Sequence, residues 1–77
     1  MDLIKRITII PDVCNGKPSI RGLRITVKTI LEFLAAGESV ENILKAYPDL
    51  EPDDIKAALQ YAALAADKDV TSYRIAS

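Results

Sequence analysis

The chain has no histidine, one cysteine, no tryptophan and three glycines among 77 residues. Each scarcity removes a class of chemistry. With Cys14 alone, no intrachain disulfide can form. Without histidine, a single thiol among scattered carboxylates makes no zinc site, and a nucleophilic Ser or Cys has no imidazole base. We therefore expect no metal, no cofactor, no catalytic residues and no enzyme activity. Long apolar runs are also missing. Ile7-Thr8-Ile9-Ile10 is followed at once by Pro11 and Asp12, too short for a signal peptide or a bilayer span. The expectation is a cytoplasmic protein with no membrane contact, which a single unpaired cysteine fits.

What is present makes one small domain. Seventy-seven residues leave no room for a second core, so residues 1–77 are read as a single unit. A core of this size is marginal, and with disulfides and metals gone, oligomerisation is the remaining addition. A homodimer is the expectation. The net charge of −1 conceals an uneven distribution. Residues 1–28 carry six basic side chains against Asp2 and Asp12, a balance of +4, and the remainder carries four against nine, a balance of −5.

The organising stretch runs from Gly16 to Val27. It holds two of the three glycines, and with Lys28 just beyond its end it brings four of the ten basic residues together. Gly16 and Gly22 mark expected changes of direction. The stretch lacks both Gly-rich phosphate-binding patterns. Before it, residues 3–10 are β-branched and alternate, which predicts a strand. Asn15-Gly16 predicts a turn, followed by an extended segment from Ser19 to Ile25. Together these form a ribbon over about 3–26. Arg21 and Arg24 would point to opposite faces of a straight strand unless the chain bends at Gly22.

Three helices follow. Thr26 is an N-cap, the apolar spacing Val27, Ile30, Leu31, Leu34 is helical, and Gly37 ends it, giving a helix over 27–36. Ser39 caps a second helix over 40–47, stopped by Pro48. Pro52 opens a third over 52–67, with Glu51 at the cap position and Asp53 and Asp54 suiting the helix dipole. On it Ile55, Ala58, Leu59, Ala62 and Ala66 share one face, whose small residues admit a close neighbour. The tail 68–77 has alternating character. The fold class is mainly α with a small N-terminal β element, the three helices forming a small bundle.

Two candidate surfaces emerge. Lys17, Arg21, Arg24 and Lys28 form a basic ribbon suited to nucleic acid, with internal salt bridges from Arg21 and Arg24 to helix carboxylates as the competing role. A helix-turn-helix reads DNA with the start of its second helix, but here that start bears Glu51, Asp53 and Asp54, which phosphates repel. Tyr61, Tyr73 and Arg74 are candidates for a protein partner, the tyrosines as amphipathic anchors and Arg74 as a carboxylate ligand. Cys14 reads as a small packed thiol.

The series Ile-Thr-Ile-Ile-Pro-Asp-Val-Cys-Asn-Gly-Lys-Pro-Ser-Ile-Arg-Gly-Leu-Arg-Ile, then Ala-Ala-Gly, then Ala46-Tyr47-Pro48-Asp49-Leu50 and Ala58-Leu59-Gln60-Tyr61-Ala62, resembles the prokaryotic domain-of-unknown-function 433 family from about residue 6 to 63. It departs from the family at Leu23, usually Thr, at Asn15, usually Gly, and at Glu51, usually Thr or Ser. The resemblance implies a helix-turn-helix-like domain of the homeodomain-like type and an antitoxin-like role beside a toxin similar to PIN-domain ribonucleases. The expected function is thus a binder and neutraliser of a PIN-like nuclease that also regulates its own promoter. A DNA-binding regulator using the basic ribbon and a purely structural dimer module are the alternatives.

Overall fold

The structure, a computed structural model, describes residues 2–68. Strand β1 (Ile7–Thr8) pairs antiparallel with β2 (Ser19–Ile20), Ile7 opposite Ile20 and Thr8 opposite Ser19. Three helices follow: α1 (Val27–Ala35), α2 (Val40–Ala46) and α3 (Pro52–Lys68). The mainly helical class with a small N-terminal sheet, and the three helix positions to within a residue or two, are as the sequence predicts.

The ribbon is shorter and more coiled than its β-branched content suggests. Leu3–Arg6 is a 3-10 turn, not the start of a strand, and it packs on α3 with Leu3 and Ile4 half-buried. A strand would have sent these adjacent side chains to opposite faces, whereas a helical turn keeps both near one neighbour. Residues 9–18 connect β1 to β2, so Asn15-Gly16 is not a two-residue hairpin loop. Instead Cys14, Asn15 and Gly16 all adopt left-handed φ (53°, 56° and 76°), one left-handed turn closed by Lys17 N–H donating to Cys14 C=O at 3.0 Å. The extended segment expected over Ser19 to Ile25 ends at Ile20. Arg21 (φ 45°) and Gly22 (φ 72°) reverse the chain, and Ser19 then bridges Thr26.

The helix boundaries follow from local chemistry. The Thr26 hydroxyl accepts from Thr29 N–H at 3.1 Å, and Ser39 does the same for Asn42 at 3.1 Å. At the end of α1, Gly37 takes φ 94° while its N–H reaches Leu34 C=O and that of Glu38 reaches Phe33 C=O, each at 3.0 Å. These paired bonds satisfy the carbonyls a helix end leaves open. At α3, Asp54 reaches back to the backbone N–H of Glu51 at 2.8 Å, so the weak cap residue is compensated from the third helical position.

The core is small. Ile20, Val27, Ile30, Ile43, Leu50, Ile55, Ala57 and Ala58 are its buried apolar side chains among the described residues. Phe33 and Tyr47 seal one side, ring centroids 5.9 Å apart and tilted by 58°. On α3 the buried face runs Asp54, Ala57, Ala58 and on to half-buried Tyr61. Ile55 and Ala58 are buried as expected, but Leu59 is 48% exposed and Ala66 is exposed, because the neighbours of α3 lie about a quarter of a turn round from the face the spacing suggests.

Candidate functional site

Ribbon and bundle are joined by one buried carboxylate. Asp54 is fully buried, and two arginines converge on it. Arg21 binds it through Nε at 3.0 Å and Nη2 at 2.9 Å, a bidentate fork. The same Nη2 donates to Asp49 C=O at 2.7 Å. Arg6 donates from Nη1 to Asp54 at 3.0 Å and to Glu51 at 2.7 Å. Burial alone would push the Asp54 carboxyl up; hydrogen bonds from Arg21, the Glu51 N–H and Arg6 outweigh it and hold the carboxyl below its ordinary value. Correspondingly, the hydrogen bond to Glu51, then that to Asp54, raises Arg6, and the bond to Asp54 raises Arg21. No buried side-chain polar atom among the described residues lacks a partner.

Arg21 can make this bond because of its backbone. The left-handed φ at Arg21 and Gly22 turns its side chain back toward α3 instead of outward along a strand. Arg21 N–H also donates to Arg6 C=O at 2.7 Å, tying both arginines to one frame. Beside them Thr8 and Ser19 exchange side-chain hydrogen bonds across the strands, and Gly22 N–H donates to the Thr8 hydroxyl at 2.9 Å. Of the two ribbon arginines, Arg21 takes the internal role; Arg24 is exposed and has no ion pair among the described residues.

The other feature is an open groove of about 720 Å³ between α1 and the second half of α3. Val27, Leu31 and Ala35 form one wall, and Tyr61, Ala62 and Ala65 the other. Lys17 and Lys28 stand on its rim, Lys28 within 4.0 Å of Glu32. Three of the sequence candidates from two separate proposals, Lys17 and Lys28 for nucleic acid and Tyr61 for a protein, thus line one depression. Tyr73 and Arg74 lie outside the described residues.

Sequence reasoning missed Arg6 and the pivotal position of Asp54. The only local signal was that Asp54 stands three residues after Glu51, the spacing of a capping box. It also missed the α1 wall of the groove, since Leu31 and Ala35 look like ordinary members of an apolar stripe. The described residues contain no group of three or more His, Cys, Asp or Glu able to hold a metal ion. No helix of the described residues is long and apolar enough to cross a membrane.

Comparison with known proteins agrees with the motif reading. The family described as "Protein of unknown function (DUF433)" matches residues 7–62. An uncharacterized protein of Sinorhizobium fredii, y4eO, is 41% identical over 56 residues, which is 73% of this chain and 25% of that protein. The crystal structure of a DUF433 member protein from Anabaena variabilis superposes with a TM-score of 0.75 at 31% identity, covering 87% of this chain and 66% of the other. The chain therefore spans a quarter of the length of the curated relative and 66% of the solved one. With the family matched across both strands, Arg21, Asp54 and most of α3, the chain belongs to the DUF433 family.

Proposed function

We propose that this chain is a non-enzymatic, antitoxin-like protein that binds and neutralises a PIN-like ribonuclease toxin. The observation that carries this reading is the engagement of Arg6 and Arg21 by Asp54, Glu51 and Asp53. These bonds consume Arg21, one of the four basic groups that a DNA-binding ribbon would offer, together with Arg6 beside it. They also leave the entry of α3, where a helix-turn-helix reads bases, as a closed acidic cluster. The surface that remains favours a protein: an apolar groove with Tyr61 in its wall and two lysines at its rim. The nuclease itself is suggested by the family resemblance, and Tyr73 and Arg74 are the proposed reach of the tail toward its acidic site.

The test is retention of a nuclease from the host extract on the tagged chain, followed by titration of its RNA cleavage. Cleavage should stop near equimolar addition. Arg74→Ala should weaken neutralisation; full neutralisation by that variant would remove the tail from the mechanism. Promoter regulation is a second reading, favoured by Lys17 and Lys28 sharing one rim with Arg24 exposed nearby in sequence. Recovery of no nuclease, together with a DNA mobility shift that weakens steeply with salt, would replace the first reading by the second.

A further inference from the structure

We infer that the groove between α1 and α3 is filled by a second copy of this chain, each α3 laying its second half into the groove of the other. The first argument is continuity. The face of α3 that is fully buried at Ala57 and Ala58 continues through Tyr61 to Leu64 and Ala65, where Leu64 is 53% exposed. The sequence goes on supplying apolar residues to this face after the neighbouring elements have run out. The groove borders that uncovered stretch, so one body covers both.

The second argument is the shortage of core. The described residues bury eight apolar side chains, and two of them are alanines. With one cysteine and no metal-holding cluster among the described residues, neither of the usual reinforcements of a small fold is present. A second copy supplies the missing burial wherever the chain itself is concentrated enough, whereas a different protein would leave the chain under-packed whenever that protein was absent. The third argument is charge. The rim presents Lys17 and Lys28, of which Lys28 is already within 4.0 Å of Glu32 and Lys17 has no ion pair among the described residues. The exposed last turns of α3 carry Asp67, three residues past Leu64. A second α3 therefore brings a carboxylate along with its apolar face. A two-fold arrangement makes each of these contacts twice. The alanines of the wall permit close approach of the helices.

Sedimentation equilibrium on the full chain tests this, with thermal melts at several concentrations. The wild type should have twice the 8.4 kDa mass of one chain, and its Tm should rise with concentration. Ala65→Glu on one wall and Ala35→Glu on the other replace exposed residues, so each monomer should keep its helical circular dichroism. Both should dissociate at least about thirtyfold more readily, the loss expected of a central interface position. A monomeric wild type at about 100 μM would overturn the proposal, as would a dimer unmoved by both substitutions. Loss of nuclease capture in the groove variants of a monomeric wild type would assign the groove to that partner instead. The outcome is separable from the antitoxin reading, because a monomer that neutralises nuclease defeats only the dimer and a dimer that captures none defeats only the antitoxin.

Discussion

The two halves of α3 have opposite surroundings, and the half richer in charge is the more buried one. From Pro52 to Ala58 the helix is clamped: Asp54 takes two arginines, and Ile55, Ala57 and Ala58 are buried. From Leu59 to Lys68 the residues whose burial is described are exposed, apart from half-buried Tyr61 and Ala62. Alanine occurs in both halves, so composition does not set burial here. What differs is the partner. Arg21 of the ribbon and Arg6 of the N-terminal 3-10 turn are fastened to the first half, and Asp54 is where they meet it. The first half serves the fold, and the second is available for assembly.

That division should fail most visibly at Asp54. Asp54→Ala removes the carboxylate that both guanidiniums share and the back-bond to Glu51 N–H. Loss of one member of a buried ion pair costs about 3–5 kcal/mol. We expect about 3, because Arg6 and Arg21 keep side-chain exposures of 28% and 35% and water can partly replace the lost acceptor. Urea denaturation measures it. A value under about 1 kcal/mol would mean that the ribbon is held by its apolar residues and that the cluster is incidental.

The same bond predicts a pH dependence of known sign. The folded carboxyl of Asp54 titrates below its ordinary 3.8. The stabilisation is thus fully present above about pH 4 and is lost as pH falls through the folded value. The stability difference between wild type and Asp54→Asn should be flat from pH 7 down to that range and should narrow below it. A difference that narrowed near pH 6 would have another group as its source.

A smaller contrast comes from lengthening alanines. Ala58 is fully buried, and Ala58→Leu forces extra methyl groups into occupied space at a cost of about 2 kcal/mol. Ala63, five residues further on, is exposed, and Ala63→Leu should change stability by less than about 0.5 kcal/mol. Equal effects at the two positions would show that the second half is covered in the free protein as firmly as the first. Melts at low and high concentration would then tell whether the cover is another chain.

How much of this was visible in the sequence depended on the range of the interactions. Thr26, Ser39 and Gly37 act on backbone groups within four residues, and the helix ends they specify came out within a residue or two. The face of α3 was harder. Ile55 and Ala58 fit the apolar spacing, but a charged residue, Asp54, turned out to be among the most buried. Its partners stand 33 and 48 positions away, and no periodicity reports them. Arg21 was legible only as an alternative between binding DNA and binding a helix carboxylate, because the choice depends on its φ. Residues 3–6 read as strand from their β-branched neighbours, although their contact with α3 decides in favour of a turn. The groove was half legible: small residues on α3 announced a close neighbour, without showing that the described fold leaves that place open.

The last contrast separates backbone from side chain at Arg21. The residue sits at φ 45°, a region that costs an L-residue about 1–2 kcal/mol relative to glycine's freedom. Both Arg21→Ala and Arg21→Gly remove the fork on Asp54, so the ion-pair loss is common to the two. They differ in that Ala retains the left-handed strain and Gly does not. Arg21→Gly should therefore be the more stable variant by about 1 kcal/mol, even though glycine also gains freedom in the unfolded chain. The order is informative because an ordinary extended residue would give the opposite one, with Ala ahead of Gly. If Ala is the more stable, the chain at residue 21 relaxes once the guanidinium is gone. In that event the fork on Asp54 holds the turn in place, and the turn does not aim the fork.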